Sequence, residues 1–490
     1  MRVPFIGRHR ELSLLDSLWE SDNSTLLILY GRRRVGKTRL LTHWLQHHAH
    51  AGLYWVAEPT SALDQLRSFS QALHNHFSPD DPAPTDFTFA SWEQAFIQVA
   101  LLTQGKRFAL FIDELPYLID VTPQIVGILQ KVWDRRLKDS NLILALSGSQ
   151  MGMMQNMLSY EAPLYGRASA QIELQQLPYG VTNEYFPAYS AQDRVIIYAM
   201  LGGVPAYWER INKKVSVQEN IQNLLLPASS WLHDEPRLLL QDFVQDPYNY
   251  VSIMRAIAQG AETVARIVTR TGLSKGHVSR YLATLRDTGF VRREVPVNED
   301  PSKARRSRYY LTDPFMRFHY RFLAHFQTKL AMGEQDEMMV TIAEGLPEFI
   351  ERNSWRDLCH EWLLRATSRG KLGYNVEQVG GAWVRTTDLD LVGIDQTSNT
   401  LVVGNTLWRE KPQDVSVIYQ FLQDAHTVIP KDENWQVHFT LFASGGWTNN
   451  AAQDAERIIN SGPKDVAWNV ASVRLLDLQE VDRDLALWSE

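Results

Sequence analysis

Residues 31–38 read Gly-Arg-Arg-Arg-Val-Gly-Lys-Thr, with the glycine, lysine and threonine spacing of a phosphate-binding loop. Gly31 and Gly36 let the backbone approach phosphates with its N–H groups pointing inward, and the positive end of the following helix adds to the field. Lys37 supplies a mobile charge for the β- and γ-phosphates, and the Thr38 hydroxyl joins the coordination shell of Mg²⁺. The pattern predicts a site for ATP and Mg²⁺.

The context of this loop is that of a nucleotide site. It follows an apolar run at 26–30 and opens a segment with helical apolar spacing at 37–48. An accidental glycine-rich turn ahead of a helix is the alternative interpretation. The residues of this segment that we predict to contact nucleotide are Gly31, Arg34, Val35, Gly36, Lys37, Thr38 and Arg39.

A second segment, Phe-Ala-Leu-Phe-Ile-Asp-Glu at 108–114, is an apolar strand that ends in two carboxylates. Beside a phosphate loop, Asp113 would hold Mg²⁺, usually through water, and Glu114 would polarise the water that attacks the γ-phosphate. The alternative is a strand end whose acids face solvent. The apolar strand 142–147 ends at Ser147, which could touch the γ-phosphate or this water, or belong to a plain turn.

The elements that must position these residues follow from the apolar pattern. Near-continuous apolar runs are typical of strands covered on both faces, and the segments between them have apolar residues three and four apart. This alternation predicts an α/β domain with a parallel sheet. The predicted strands are 26–30, 53–57, 108–112 and 142–147, and the predicted helices are 37–48, 62–77 and 91–103.

Length and composition limit the class of protein. The 490 residues suffice for about three domains, and 44% hydrophobic residues suffice for packed cores. A net charge of −7 excludes a uniformly basic surface for nucleic acid, so such a surface must be local. The single cysteine, Cys359, excludes an intramolecular disulfide and a multi-cysteine zinc site and fits a reducing, cytoplasmic setting. Because the apolar runs fall far short of about 18 residues and the chain opens without a signal-peptide pattern, we expect neither membrane insertion nor export.

Residues 250–325 have the order of a winged helix: short helices, a strand, a charged loop and a second strand. Between 262 and 310 there are 11 Lys and Arg against five Asp and Glu, a concentration typical of a phosphate-binding surface. Ser274 can cap the helix that follows it. The predicted contacts to double-stranded DNA are Lys275, His277, Ser279 and Arg280 on this helix, and Arg305, Arg306 and Arg308 in the wing. The alternative is a winged helix that docks on its own nucleotide-binding domain or on another subunit.

Further motifs make the chain resemble a known family. Residues 5–12 (Phe-Ile-Gly-Arg-His-Arg-Glu-Leu) are similar to the box that precedes the phosphate loop in AAA+-like and STAND ATPases, and Gly-Val-Pro at 203–205 is similar to the GxP motif of STAND lids. With Tyr-Gly-Arg at 165–167, the winged helix and an α/β tail, the chain resembles the archaeal-type ATPase family over nearly its whole length. Members of that family carry a C-terminal domain like that of restriction endonucleases.

The resemblance implies roles for residues outside the phosphate loop. Ile6, Gly7, Arg8 and Pro205 would flank the adenine. Arg167 would take a catalytic role by sensing the γ-phosphate, either in cis or across the interface of a homo-oligomer. Judged from the residues alone, an arginine in a turn is more often solvated or a cap.

The resemblance also implies a PD-(D/E)xK fold for the tail, whose chemistry needs an Asp on one strand and Glu-x-Lys on the next. Asp388 and Asp390 supply the first part, but Asn405 and Leu407 occupy the carboxylate and lysine positions. Asn carries no charge for Mg²⁺ and Leu cannot stabilise charge on a phosphate, so nuclease activity is doubtful. Glu361, on a predicted helix, is either an additional metal ligand or a helix-surface acid.

Together these patterns predict an α/β protein that binds and hydrolyses Mg²⁺-ATP as a switch of the STAND/AAA+ type and thereby controls DNA binding. A nucleotide-gated, oligomeric protein scaffold without a nucleic-acid role is the alternative, and an ATP-gated nuclease is the least favoured. The predicted domains are an ATPase core at 1–170, a helical lid at 171–248, a winged helix at 249–326, a linker at 327–350 and a restriction-endonuclease-like domain at 351–490.

Overall fold

The structure, a computed structural model, describes residues 4–47, 51–241, 243–244, 246–300, 303–304, 306–384, 387–429, 434–461 and 467–489. The chain forms two compact units. The first contains Met1–Leu177 and Val204–Glu209, and the second contains Pro178–Gly203 and Arg210–Glu490.

The first unit is a parallel sheet with helices on both faces. Its strands are β1 (Thr25–Tyr30), β2 (Gly52–Val56), β3 (Phe108–Asp113), β4 (Leu142–Gly148) and β5 (Ala170–Glu173). Its helices before residue 177 are α1 (His9–Glu20), α2 (Lys37–His47), α3 (Ala62–Phe77), α4 (Trp92–Leu102), α5 (Leu115–Val121), α6 (Ile125–Arg135) and α7 (Met151–Asn156). The strand order is β2-β3-β4-β1-β5, and every neighbouring pair is parallel.

Both faces of this sheet are covered because its strands are apolar on both sides. Along β1, Leu26 and Ile28 pack into the core on one face, and Leu27 and Leu29 pack into the core on the other. Parallel strands end at the same edge of a sheet. The carboxyl ends of β1, β3 and β4 therefore place the phosphate loop, the acid pair and Ser147 beside one another.

The α/β class and the four predicted strands are confirmed, and each strand begins and ends within one residue of its predicted bounds. The apolar pattern does not predict β5, because its sequence Ala-Gln-Ile-Glu is short and only Ile172 is buried. This strand pairs with β1, so the sheet extends past residue 170, where the predicted core ends.

The segment predicted as a helical lid divides between the two units. Its helices are α8 (Thr182–Tyr185), α9 (Ala191–Leu201), α10 (Pro205–Trp208), α11 (Val217–Asn220) and α12 (Glu235–Gln241). Helix α10 belongs to the first unit, whereas the others belong to the second. The structure thus separates the Gly-Val-Pro segment from the rest of the predicted lid.

A winged helix follows in the second unit, as predicted. It consists of α13 (Tyr248–Ala258), α14 (Val264–Thr271), α15 (Lys275–Asp287) and the antiparallel strands β6 (Val291–Glu294) and β7 (Arg308–Leu311). Ile267, Val278, Leu282 and Leu285 lie in its core. The helical spacing of the last three places the opposite face of α15 in solvent.

Helices connect the winged helix to the C-terminal sheet: α16 (Pro314–Phe318), α17 (Gln327–Met332), α18 (Gln335–Ile350) and α19 (Arg356–Ser368). The predicted linker at 327–350 is therefore mostly helical, and Met338, Ile342 and Ile350 of α18 are buried. The polar residues at the start of this segment favour a linker in the sequence pattern, whereas apolar residues further along it pack in the fold.

The C-terminal domain is a mixed sheet with helices. Its strands are β8 (Gln378–Trp383), β9 (Asp388–Asp395), β10 (Thr400–Gly404), β11 (Thr406–Leu407), β12 (Gln436–Ala443) and β13 (Asn469–Asp477), and its helices are α20 (Val415–Val428), α21 (Asn449–Ser461) and α22 (Leu478–Leu487). The order is β11-β12-β10-β9-β8, and β13 also pairs with β12. Within the described ranges, no helix has the length and apolar character needed to span a membrane.

Candidate functional site

The phosphate loop connects the end of β1 to the start of α2, as the sequence predicts. A Cβ atom on Gly31 would lie 2.4 Å from the carbonyl oxygen of Leu174, so only glycine fits there. Gly36 has a φ of +100°, which also favours glycine, and a Cβ there would lie 4.0 Å from the Pro205 side chain. Arg34 adopts a φ of +70° within the same loop. These conformations wrap the backbone into a tight loop at the N-terminus of α2.

Lys37 is buried within this loop. Its ammonium group donates hydrogen bonds to the carbonyl oxygens of Gly31, at 2.8 Å, and Arg32, at 3.2 Å. A buried cation beside neutral carbonyl oxygens is stabilised further by an anion that approaches the loop. The position of this ammonium group suits the phosphate contact that the motif predicts.

The Asp113 carboxylate is the centre of a hydrogen-bond cluster at the carboxyl end of β3. Its Oδ2 accepts from the Thr38 hydroxyl at 2.6 Å, and its Oδ1 accepts from Ser147 at 2.5 Å and from the backbone N–H of Glu114 at 2.9 Å. The structure therefore brings together four residues that the sequence assigns to one site, Thr38, Asp113, Glu114 and Ser147. Hydroxyl and carboxylate oxygens are the hard ligands that Mg²⁺ prefers, so Thr38 and Asp113 fit the metal that the motif implies.

Tyr54 completes this cluster, although it belongs to no motif that the sequence shows. Its hydroxyl donates a hydrogen bond to Asp113 Oδ2 at 2.5 Å, the same oxygen that accepts a hydrogen bond from the Thr38 hydroxyl. Burial, and secondarily the charge of Asp113, raises the pKa of the Tyr54 phenol, so the group keeps its proton and remains a donor. The only signal in the sequence is one polar-tipped residue in the apolar strand Leu-Tyr-Trp-Val-Ala.

Glu114 is held in an unusual backbone conformation at the start of α5. Its φ of +50° is left-handed, a conformation that costs a residue with a side chain about 1–3 kcal/mol and that clusters at functional sites. Ser149, just after β4, donates from its hydroxyl to Glu114 Oε2 at 3.0 Å. The carboxylate is thus oriented by a neighbouring strand rather than left mobile in solvent.

The N-terminal Gly-Arg box braces the phosphate loop from outside. Arg8 donates to the carbonyl oxygens of Val35, at 3.0 Å, and Gln175, at 2.6 Å, and it pairs with Glu11 at 3.0 Å. Burial lowers the pKa of the Arg8 guanidinium, although Glu11 opposes the shift. Ile6 and Gly7 precede it, and Ile6 is half-buried. The contacts of Arg8 join the loop to the end of β5.

The Gly-Val-Pro segment also contacts the phosphate loop. Tyr207, in α10, accepts a hydrogen bond from Arg32 at 2.9 Å, and Glu209, just after α10, pairs with Arg39. The Pro205 side chain lies 4.0 Å from the position that a Cβ atom on Gly36 would take. The structure therefore places the predicted adenine residue Pro205 beside the loop rather than in a separate lid.

Arg167 is engaged elsewhere in the first unit. Its guanidinium forms a two-pronged pair with Asp134, with Nε–Oδ1 at 2.9 Å and Nη2–Oδ2 at 2.8 Å. The Asp134 hydrogen bond raises the pKa of Arg167 and lowers the pKa of Asp134. The structure does not bring Arg167 into the hydrogen-bond cluster around Asp113.

The close approach at Gly31 gives a stability prediction. We expect Gly31→Ala to destabilise the first unit by about 1–3 kcal/mol, because its Cβ must displace the Leu174 backbone. Gly127→Ala is the matched control, since Gly127 lies in α6 and an added Cβ meets nothing within 4 Å. Calorimetric melting should show a lower transition temperature for the first variant and an equal or higher one for the second. Equal melting of both would contradict the tight fit at Gly31.

The predicted DNA-contacting face of α15 is exposed. Ser274 caps the helix by accepting from the His277 backbone N–H at 3.4 Å. Lys275, His277, Ser279 and Arg280 are all exposed. The Arg280 guanidinium lies 5.1 Å from the centre of the Tyr281 ring, which limits its freedom without burying it.

The wing residues are placed differently from the prediction, because two of them bind groups of their own chain. Arg306 pairs with Glu299 and donates to the Trp383 carbonyl oxygen at 2.8 Å. Arg308, in β7 rather than in the loop, pairs with Asp388 at 2.9 Å. Arg305 lies outside the described residues. Arg306 and Arg308 thus both have carboxylate partners within the chain.

Partly buried ion pairs connect α19 to the winged helix and to α16. Asp357 pairs with Arg292 and with Arg317, each at 2.6 Å, and Arg356 pairs with Glu294 at 2.8 Å. Although desolvation opposes the shift, the arginines hold the pKa of the Asp357 carboxyl well below its ordinary value. These pairs therefore contribute to the contact of α19 with the winged helix and with α16.

The residues of the predicted nuclease motif line one pocket of about 450 Å³ in the C-terminal domain. It is lined by Asp388, Asp390, Asn405, Leu407 and residues of α20. Burial, and then the neighbouring carboxylates, raises the pKa of Asp390 although Arg356 opposes the shift. Glu361 pairs with Arg365 at 2.7 Å and does not line the pocket. Among the described residues, no group of three or more His, Cys, Asp or Glu is placed to hold a metal ion.

The first unit combines a parallel sheet, a glycine-rich phosphate loop with a buried lysine, and two acids after a neighbouring strand. These features define an ATPase domain of the P-loop class. Residues 5–211 match the family described as an ATPase domain predominantly from Archaea, residues 249–295 match the IclR helix-turn-helix domain, and residues 319–418 match a family of archaeal and bacterial proteins of unknown function. The chain thus carries the archaeal-type ATPase domain, winged helix and restriction-endonuclease-like C-terminal domain that its motifs resemble.

Two curated relatives come from Methanocaldococcus jannaschii. An uncharacterized protein is 26% identical over 434 residues, which cover 88% of this chain and 93% of the relative. An uncharacterized ATP-binding protein is 47% identical over 45 residues, which cover 9% of this chain and 76% of the relative. The first match extends over all the domains described above.

Solved structures show weaker likeness. The Walker-type ATPase of Pyrococcus abyssi has a TM-score of 0.47 and 20% identity and covers 65% of this chain and 97% of its own. The ORC2 protein of Aeropyrum pernix has a TM-score of 0.41 and 12% identity, and the match covers 68% of this chain and 97% of the ORC2 chain. Both TM-scores are below 0.5.

Proposed function

We propose that the protein is an ATPase that binds DNA through its winged helix and whose bound nucleotide controls that binding. The observation that carries the proposal is the set of hydrogen bonds that joins Thr38, Ser147 and the Glu114 backbone to Asp113. These bonds lie at the edge of the sheet where the phosphate loop also holds Lys37. One relative is named an ATP-binding protein, which supports ATP as the nucleotide. The exposed, positively charged side chains of α15 support the proposed binding of DNA.

In this proposal the chain's own residues position the phosphates and the attacking water. The loop N–H groups and Lys37 bind the β- and γ-phosphates, and Thr38 with Asp113 would hold Mg²⁺, which supplies further neutralisation of phosphate charge. Glu114 accepts the proton of the attacking water, while Ser149 keeps its carboxylate oriented. Ser147 fixes the other oxygen of Asp113 and so contributes to position rather than to proton transfer.

Nucleotide control requires an element that touches the phosphate loop and continues elsewhere. Segment 204–209 contacts Arg32 and Arg39, and the chain runs on from it into the second unit at Arg210. A change in the loop on hydrolysis would alter these contacts and be transmitted along the chain. This is the basis on which we propose a nucleotide-dependent switch of DNA affinity.

The DNA arm of the proposal is tested by salt dependence. We expect Lys275→Ala combined with Arg280→Ala to weaken binding to duplex DNA and to reduce the slope of log affinity against log salt by about 2, because each cation neutralises about one phosphate. Arg286→Ala, which removes an exposed cation from the far end of the same helix, is the matched control and should leave the slope nearly unchanged. Fluorescence anisotropy at several salt concentrations measures both.

A second candidate function, a nucleotide-gated scaffold without nucleic acid, is favoured by one observation. Two wing arginines bind Glu299, Asp388 and the Trp383 backbone of their own chain, as in a winged helix used for internal docking. No detectable affinity for duplex DNA at low salt, with or without ATP, would reject DNA binding and leave the scaffold. Binding with a steep salt slope would reject the scaffold as the sole function.

A further inference from the structure

Tyr54 lies outside every sequence motif of the nucleotide site, yet it contacts the acid at the centre of that site. In the parallel pairing of β2 with β3, Tyr54 is opposite Phe111, and Asp113 follows two residues later on the same face. The Tyr54 hydroxyl therefore reaches Asp113 from the neighbouring strand. The ring itself packs against the core beneath α2.

The carboxylate of Asp113 is held at both oxygens. Oδ1 accepts from Ser147 and the Glu114 backbone, and Oδ2 accepts from Thr38 and Tyr54. Without Tyr54, Thr38 would be the remaining described donor to Oδ2. Outer hydrogen bonds of this kind fix the orientation of metal-holding groups, and their loss commonly weakens metal affinity 10- to 100-fold.

We propose that Tyr54 is a positioning residue for the magnesium-nucleotide site. Its hydroxyl orients Asp113 toward Thr38 and thereby sets how much Mg²⁺ strengthens nucleotide binding. The assignment rests on the proposed ATPase function. It differs from a packing role because the packing of Tyr54 depends on its ring, whereas the orientation of Asp113 depends on one hydroxyl oxygen.

The experiment compares the full-length wild type with Tyr54→Phe, which removes that oxygen and keeps the ring. Calorimetric titration with a non-hydrolysable ATP analogue is done in Mg²⁺ and again in EDTA. We expect Tyr54→Phe to lose about tenfold of the affinity gained from Mg²⁺, with its affinity in EDTA within twofold of wild type. Tyr117→Phe, which alters a ring packed in the core on the opposite face of the sheet, should behave as wild type.

Asp113→Asn provides a second and independent variant. If Tyr54 acts through the carboxylate, adding Tyr54→Phe to Asp113→Asn should change the Mg²⁺ gain by less than twofold. Equal losses in Mg²⁺ and EDTA, a full Mg²⁺ gain in Tyr54→Phe, or additive effects of the two substitutions would each overturn the assignment. Absence of nucleotide binding by the wild type would instead reject the proposed ATPase function.

Discussion

Replacing Lys37 by alanine is expected to lower the affinity for Mg²⁺-ATP by about two orders of magnitude. Each hydrogen bond between this ammonium group and a phosphate oxygen contributes about 1.5–3 kcal/mol, and two such bonds correspond to at least a hundredfold. In the free protein the same group donates hydrogen bonds to the Gly31 and Arg32 carbonyl oxygens. These neutral partners can rearrange when the cation is removed. The measurement is calorimetric titration with a non-hydrolysable ATP analogue.

The control for this variant is Lys131→Ala, which removes a lysine of the same unit that is exposed and paired with Glu93. It should bind the analogue as the wild type does. Unchanged affinity in Lys37→Ala would contradict the role of the loop as a phosphate cradle. Reduced affinity together with a lower melting temperature of the free protein would instead indicate a misfolded loop.

Replacing Glu114 by glutamine should leave nucleotide binding nearly intact while reducing ATP turnover about 10²- to 10⁴-fold. The side-chain amide keeps the shape of the carboxylate and can still accept from Ser149, but it cannot take the proton of the attacking water. Turnover is measured by phosphate release at saturating Mg²⁺-ATP, and binding by titration. A loss of turnover without a loss of nucleotide affinity distinguishes a general base from a residue that binds the nucleotide.

Glu93→Gln changes a partly exposed acid at the start of α4 and is the corresponding control. It should turn over ATP at the wild-type rate. Turnover of Glu114→Gln within threefold of wild type would remove Glu114 from the mechanism. A large loss of affinity in the same variant would indicate that Glu114 binds the nucleotide rather than activating water.

Much of the first unit could be predicted from sequence because its signals are local. The bounds of β1 and α2 follow from apolar runs and helical spacing, and the loop between them follows from two glycines and a lysine. The short strand β5 carries no such signal, since a four-residue strand buried at one position resembles a loop. Its place in the sheet depends on pairing with β1 across the fold.

The candidate site was predictable only where one segment holds the chemistry. Lys37, Thr38 and Asp113 fall in recognisable patterns, and the structure brings them together at the carboxyl edge. Tyr54 is 59 residues from Asp113 in the chain, and Arg308 is 80 residues from Asp388. Neither contact leaves a trace in the spacing of its own segment.

Periodicity and motif spacing are properties of short segments, so they indicate the kinds of element and the residues that we propose to hold phosphate, Mg²⁺ and DNA. The hydroxyl groups that orient Asp113 and the carboxylates that pair with Arg306 and Arg308 are visible only in the folded chain. Those contacts depend on the order of strands in a sheet and on the docking of separate segments. Both are fixed by packing between residues far apart in the chain.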